Sequence, residues 1–304
     1  MRIASLLASA TEMVAALGLE DQLVAISHEC DYPPTVIRRP RVSRPRFDPD
    51  ALSDAGIDAA VRDSMLHHGS PYALDEERLR AVAPDVILTQ AVCEVCAVPT
   101  SLAAEAARTL GPEVRVLSLD AHSVEGVLEV VEQLGNALGA SGRADALVAT
   151  LRARLSAVGD AVAGAPRPSV LALEWLDPPF LPGHWVPEMI ELAGGRNLAG
   201  EALRPSRGVP WEDLTGLDPD VLVVMPCGYG LERSRRSADE QGGRLRALAP
   251  RAIAAGRAWV VDGSSYFNRS GPRIADGVEI LGALFHPERV KGVKLTGKAE
   301  TWGR

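Results

Sequence analysis

The sequence predicts an α/β protein of two lobes with mainly parallel sheets, joined by a long spine helix. Three observations predict it: the length, an order of strands and helices that occurs twice, and a strongly periodic helical stretch between the two occurrences. At 304 residues the chain exceeds the usual size of one compact core, so two domains of ordinary size are expected. The predicted boundaries are an N-terminal lobe over 1–121, a linking spine over 122–165, a C-terminal lobe over 166–286 and a polar tail over 287–304.

The repeated plan is clearest at two Pro-Asp turns. Ala83-Pro84-Asp85 leads into Val86-Ile87-Leu88, and Asp218-Pro219-Asp220 leads into Val221-Leu222-Val223-Val224. Each is a short apolar run bounded by a turn, the mark of a buried strand. Residues 114–119 and 258–261 supply a later strand in each half. Near the starts, residues 3–7 lead into a helix over 11–17, and residues 170–173 lead through a loop into a helix over 187–193. Such alternation implies parallel sheets covered by helices on both faces. In the spine, Val127, Val130, Val131, Leu134, Leu138, Leu147, Leu151 and Leu155 recur at helical spacing, with Ser123 as a candidate N-cap and a break near 139–142. After Phe285 the apolar periodicity stops, which predicts a surface segment.

Composition narrows the function. The chain is 46% hydrophobic and 24% charged, as in an ordinary globular protein, and its formal net charge is -8. No basic cluster exceeds Arg38-Arg39 or Arg235-Arg236, so there is no footprint for nucleic acid. No segment approaches the ~18 apolar residues of a membrane span. The opening MRIASLLASA mimics a signal peptide, but its apolar run is only about five residues against ~7–15, and residues 2–7 read as the first strand. A cytoplasmic location is therefore expected. Neither GxGxxG nor a P-loop occurs, so nucleotide binding has no motif behind it.

In open parallel sheets, ligands bind beyond the carboxyl ends of the strands, where loops converge and helix N-termini offer amides. All four cysteines follow predicted strand ends: Cys30 in His28-Glu29-Cys30-Asp31-Tyr32, Cys93 and Cys96 in a CxxC pair, and Cys227 in Pro226-Cys227-Gly228-Tyr229. A lone cysteine there is more often a small buried hydrophobe than a ligand. A CxxC pair raises the odds, and with Cys30 and Cys227 it opens a four-thiolate zinc or iron-sulfur site. Aromatic residues form a second group. Only 4% of the chain is aromatic, yet Trp175, His184-Trp185, Trp211 and Tyr266-Phe267 all fall in loops after or between elements. Indole faces suit a large planar ligand, although they also lid cores. Trp259, inside a strand, reads as core. His67-His68 and His122 have no companion at ligand spacing and read as surface. No acid and base pair can be assigned among Glu12, Glu174, Asp177 and Glu188, so a binding role outweighs an enzymatic one.

The stretches SLLASATEMVAALG, VAISHECDYPP, LRAVAPDVILTQ, VPW at 209–211 and SSYFNRSGPRI at 264–274 resemble the cobalamin-binding members of the iron-siderophore and vitamin B12 class of ABC-transporter substrate-binding proteins (class III periplasmic binding proteins). The similarity covers nearly the whole chain. It implies two Rossmann-like lobes, a rigid helical linker and a corrinoid held edgewise between the lobes. By motif position it gives ligand contacts to Tyr32, Trp175, Trp211, Tyr266, Phe267 and Arg269, with His184 and Trp185 beside them. SHEC, CEVC and MPCG depart from the exported cobalamin binder's pattern. With no export signal visible, the chain looks like a cytoplasmic branch without a permease partner. A histidine or thiolate, from His28, His184 or a cysteine, could then ligate cobalt.

Three functions follow. The first is a cytoplasmic corrinoid binder that stores, traffics or senses cobalamin. The second is a metalloprotein holding zinc or an iron-sulfur cluster on Cys30, Cys93, Cys96 and Cys227. The third is an exported metal or siderophore binder whose coding sequence starts upstream.

Overall fold

In the computed structural model, which describes residues 1–92 and 98–303, the chain divides into two units. One is Met1–Ala121 with Glu125–Ala149, and the other is His122–Val124 with Thr150–Arg304. The first unit contains β1 (Ile3–Ser5), α1 (Ala8–Ala16), β2 (Leu23–Ile26), β3 (Ser43–Pro45), α2 (Asp54–His68), β4 (Tyr72–Leu74), α3 (Glu76–Ala81), β5 (Val86–Thr89), α4 (Thr100–Leu110) and β6 (Arg115–Ser118). Two helices follow, α5 (Val124–Ala137) and α6 (Ser141–Val162). The second unit adds β7 (Ser169–Leu173), β8 (Trp175–Leu176), β9 (Pro179–Leu181), α7 (Val186–Leu192), β10 (Arg196–Asn197), β11 (Arg207–Gly208), β12 (Val221–Val224), α8 (Leu231–Glu240), α9 (Gly242–Leu248), α10 (Pro250–Ala254), β13 (Ala258–Val261), α11 (Gly263–Tyr266), α12 (Ile274–Phe285) and β14 (Ala299–Thr301).

The two main sheets share one topology. Their orders are β2-β1-β5-β6 and β10-β7-β12-β13, the latter extended by β14. Apart from β14, every pairing in them is parallel. In each sheet the first strand is therefore flanked by the second on one side and the third on the other. The predicted α/β class and its parallel sheets hold. Fully buried runs such as Val86–Thr89 and Val221–Val224 sit in the middle because both faces are covered by helices.

The repeated Pro-Asp turns have a structural purpose. Ala83 and Asp218, each preceding the proline, both adopt positive φ, 40° and 32°, a sparsely populated conformation for non-glycine residues. That turn aims the following aspartate at the free amide where the first strand of the sheet begins. Arg2 N donates to Asp85 Oδ2 at 2.7 Å, and Ser169 N donates to Asp220 Oδ2 at 2.8 Å. The Ser169 hydroxyl bonds the same oxygen at 2.7 Å and, with the amide, holds the Asp220 carboxyl below the ordinary carboxylate range. Aspartate thus satisfies an amide that the sheet ladder leaves unpaired.

The spine is interrupted where the break near 139–142 is expected: Gly139 adopts φ 72° between α5 and α6, a left-handed turn that ends helices and suits glycine. One expectation is corrected. The tail is not a loose surface segment. Its β14 pairs antiparallel with β13, matching Trp259 to Thr301 and Val261 to Ala299. Trp302 is 4% exposed, joins the core of Leu173, Leu222 and Val260, and donates from Nε1 to Asp239 at 2.8 Å. A three-residue edge strand needs backbone bonds rather than apolar periodicity, so composition concealed it. No helix among the described residues is long and apolar enough to cross a membrane.

Replacing Trp302 with alanine is expected to cost ~3–5 kcal/mol, as for a buried tryptophan. Urea melts of the variant check this, since a surface tail would give a change within about 0.5 kcal/mol.

Candidate functional site

Both Trp175 and Tyr229 sit where the sheet topology favours a ligand. β7 is flanked by β10 and β12, so the chain leaves its carboxyl end toward opposite sides, and a crevice opens at such a switch point. Trp175 follows β7 directly, and residues 225–230 follow β12.

Glu174 organises this end of the second unit. It lies between β7 and the β8–β9 hairpin and is only 7% exposed. Its amide donates to Phe180 O at 2.9 Å, closing the hairpin, and its carbonyl accepts from Cys227 N at 2.8 Å. The carboxyl group accepts from the Ser206 hydroxyl and from the backbone of Gly183. Position 183 has no room for a side chain: a Cβ there would lie 2.3 Å from Arg204 O and 2.4 Å from Ser206 N. The hairpin therefore closes on the Glu174 backbone, while the 182–185 loop and the 204–206 segment converge on its carboxyl group. Burial pushes its pKa up to about 7, against the opposing pull of Ser206 and Gly183.

Around this anchor the aromatic side chains form a connected face. The Trp175 ring packs 4.9 Å from that of Tyr229, and the Arg233 guanidinium lies 4.3 Å over Tyr229. Trp175 Nε1 donates to Asp177 O at 3.2 Å. Asp177 lies 4.0 Å from Arg244, whose guanidinium sits 5.5 Å over the Trp211 ring. Trp211 Nε1 is buried without a hydrogen-bond partner. Tyr229 is 4% exposed and backs Trp175 from the interior, so the accessible groups are the half-buried Trp175 and Trp211 indoles with the Arg233 and Arg244 guanidinium groups, linked by cation–π contacts.

A second group lies at the start of α7. His184 adopts φ 49°, its ring stacks on Trp185 at 5.6 Å, and His122 lies 5.6 Å away. His122 is exposed, as expected, but it does have a companion, one supplied by the fold. Burial, and then the neighbouring His122, hold the His184 imidazole below its ordinary pKa. His184 Nδ1 is buried with no partner.

Four further expected contact residues are engaged within the second unit. Phe267 is 0% exposed and Trp185 is 7% exposed, with Trp185 Nε1 donating to Phe267 O at 2.7 Å. Both are buried side chains of the second unit that fix one loop to another. Tyr266 lies beneath Arg273 and Lys298, 5.5 and 4.9 Å from its ring, and Arg269 donates to Ser264 Oγ at 3.2 Å.

In the first unit Tyr32 is 45% exposed, on a loop held by Arg41, which donates to the carbonyls of Ser27, His28 and Cys30. His28 is engaged with Ser43, Nδ1 to Oγ at 2.8 Å. Cys30 behaves as a small core residue: it is 1% exposed, packs with Ala8 and Ile26, and contacts the hydroxyls of Thr11 and Ser27 at 3.0 and 3.2 Å. Cys93 and Cys96 lie outside the described residues. Among the described residues no group of three or more His, Cys, Asp or Glu side chains is placed to hold a metal ion, so zinc or iron-sulfur ligation finds no support there. Tyr229, Arg233 and Arg244 were not singled out from the sequence. The signal for Tyr229 was its place in the loop after β12, while the arginines sit on helices whose orientation only the fold reveals.

Comparison with known proteins is consistent with this geometry. Residues 3–244 match the family profile described as periplasmic binding protein. A cobalamin-binding protein of Halobacterium salinarum is 25% identical over 289 residues, 94% of this chain and 69% of that protein. A periplasmic heme binding protein from Pseudomonas aeruginosa superposes with TM-score 0.70 at 25% identity, covering 95% of this chain and 93% of the other. The periplasmic vitamin B12 binding protein BtuF of Vibrio cholerae gives TM-score 0.69 at 21% identity, covering 96% and 98%.

Glu174 also makes stability depend on pH. Its folded pKa of about 7 lies above its unfolded value, so its contribution is complete below about pH 4 and is lost as pH rises through 7, some ~3 kcal/mol in all. Glu174→Gln keeps the hydrogen-bonding shape without the charge. Denaturant melts at pH 5 and pH 8 are expected to show the wild type losing stability across that interval and the variant losing much less.

Proposed function

The chain belongs to the periplasmic binding protein family, and from that premise we propose that it binds a corrinoid of the cobalamin class through the aromatic face of its second unit. Trp175 and Trp211, bracketed by Arg233 and Arg244, carry the reading, with the buried Tyr229 ring packed behind Trp175. A corrinoid offers a broad apolar ring system edged with amide groups. Indole faces match the ring, and guanidinium donors match carbonyl oxygens at its rim. The Halobacterium salinarum relative, which spans 94% of this chain, supports a corrinoid over other flat ligands.

Reversible binding without turnover fits the same face. Its ionisable groups are arginines tied to rings and carboxylates, and Glu174 is enclosed beneath it rather than placed at a reacting atom. His184, beside the face of α7, is our candidate for an axial nitrogen ligand to cobalt. As part of this proposal the protein stores, traffics or senses the corrinoid in the cytoplasm, a reducing compartment that suits its four cysteines.

Calorimetric titration of the full chain with cyanocobalamin is expected to give one site. Trp175→Ala and Trp211→Ala should each weaken it by about tenfold, roughly 1.4 kcal/mol. Wild-type affinity in both variants would overturn the assignment of this face. Titration with aquocobalamin provides a separate check on His184: the wild type should shift the cobalt absorption bands toward those of an imidazole complex, and His184→Ala should not.

A further inference from the structure

All three lysines of the chain, Lys291, Lys294 and Lys298, fall within residues 291–298, and every other cation among its 32 Lys and Arg residues is arginine. The same stretch lines an open cavity of ≈ 590 Å³ on the second unit, between α6 and the segment after α12. Ala157, Val158 and Ala161 of α6, with Val290 and Val293, provide apolar lining, and Arg154 and Arg289 join the three lysines as its cations.

The charges do not balance. Arg154 is committed to carboxylates, bonding Glu279 at 2.8 and 2.7 Å and lying 3.2 Å from Asp276. Lys298 is held 3.5 Å from Asp276 and 4.9 Å over the Tyr266 ring. Those two cations and two carboxylates offset one another. Arg289 donates to Ala161 O and Ala163 O at 3.4 and 3.1 Å and lies 4.0 Å from the exposed Glu288, so it is fixed in place but weakly neutralised. Lys291 and Lys294 are exposed and have no ion-pair partner among the described residues. A protein of formal charge -8 therefore concentrates an excess of positive charge around a partly apolar hollow. Such a site attracts anions against the field of the rest of the molecule.

We propose that this cavity binds a phosphorylated small molecule with an apolar or aromatic body. Lysine ammonium groups on flexible stems act as point charges that follow phosphate oxygens, whereas the planar fork of arginine suits carboxylates. The volume falls within the ~300–1,000 Å³ typical of small-molecule sites, and the alanine and valine walls give a body something to pack on. The residues lining the cavity are separate from the aromatic face, so the two sites stand or fall independently.

The test titrates the full chain with ADP and with inorganic pyrophosphate by calorimetry at about 50 mM salt, where surface charge is weakly screened. ADP should saturate below about 1 mM and bind at least threefold tighter than pyrophosphate. The double variant Lys291→Ala/Lys294→Ala should weaken ADP by about tenfold while its melting temperature and cyanocobalamin affinity stay unchanged. Absence of saturable binding by either probe, or wild-type ADP affinity in the double variant, would overturn the site. Equal affinity for ADP and pyrophosphate would overturn the role given to the apolar walls.

Discussion

A carboxyl group enclosed at the end of β7 holds the framework beneath the second unit's indole rings together. Glu174 is 7% exposed, and three segments meet on it: the adjoining β8–β9 hairpin through its backbone, and the loop at Gly183 and the more distant segment at Ser206 through its carboxyl group. A buried carboxylate without partners costs several kcal/mol, so the group is tolerated only because it is hydrogen-bonded and because its pKa rises to about 7. That constraint sets the base from which Trp175 projects and the path the chain takes toward Trp211. It also means that proton activity near neutrality acts on the framework beneath the face rather than on the face itself.

The same economy of polar groups recurs at the opposite ends of the strands. Asp85 and Asp220 each capture an amide that begins the first strand of a sheet, and each is presented by a proline turn whose preceding residue has positive φ. Two sheets of identical strand order, started by the same device, are what duplication of one supersecondary plan produces. The units differ in what they hang on that plan: an exposed tyrosine on an arginine-clamped loop in the first, a cluster of rings and guanidinium groups in the second.

Much of this was legible because strand burial and turn chemistry leave local marks. The runs 86–88 and 221–224, the Pro-Asp echoes and the strand at 258–261 could be read directly, as could the placement of aromatic residues after strand ends. What was not legible has a common cause, which is that side-chain direction and long-range pairing are not local. Phe267 stands in an aromatic-rich loop yet points into the interior, and Cys30 follows a strand yet packs against Ala8 and Ile26. β14 depends on an edge of β13 that no periodicity announces, and His122 meets His184 only through the fold. The lysine stretch was visible as composition, but its cavity was not, since the apolar wall comes from α6, more than a hundred residues earlier.

The central claim is that the aromatic face accepts a corrinoid in preference to another tetrapyrrole. Quenching of tryptophan fluorescence during parallel titrations with cyanocobalamin and with haemin tests it most directly. The account predicts saturation at one cyanocobalamin per chain, with an affinity at least about tenfold above that for haemin. Tight one-to-one binding of haemin with no saturable response to cyanocobalamin would contradict it.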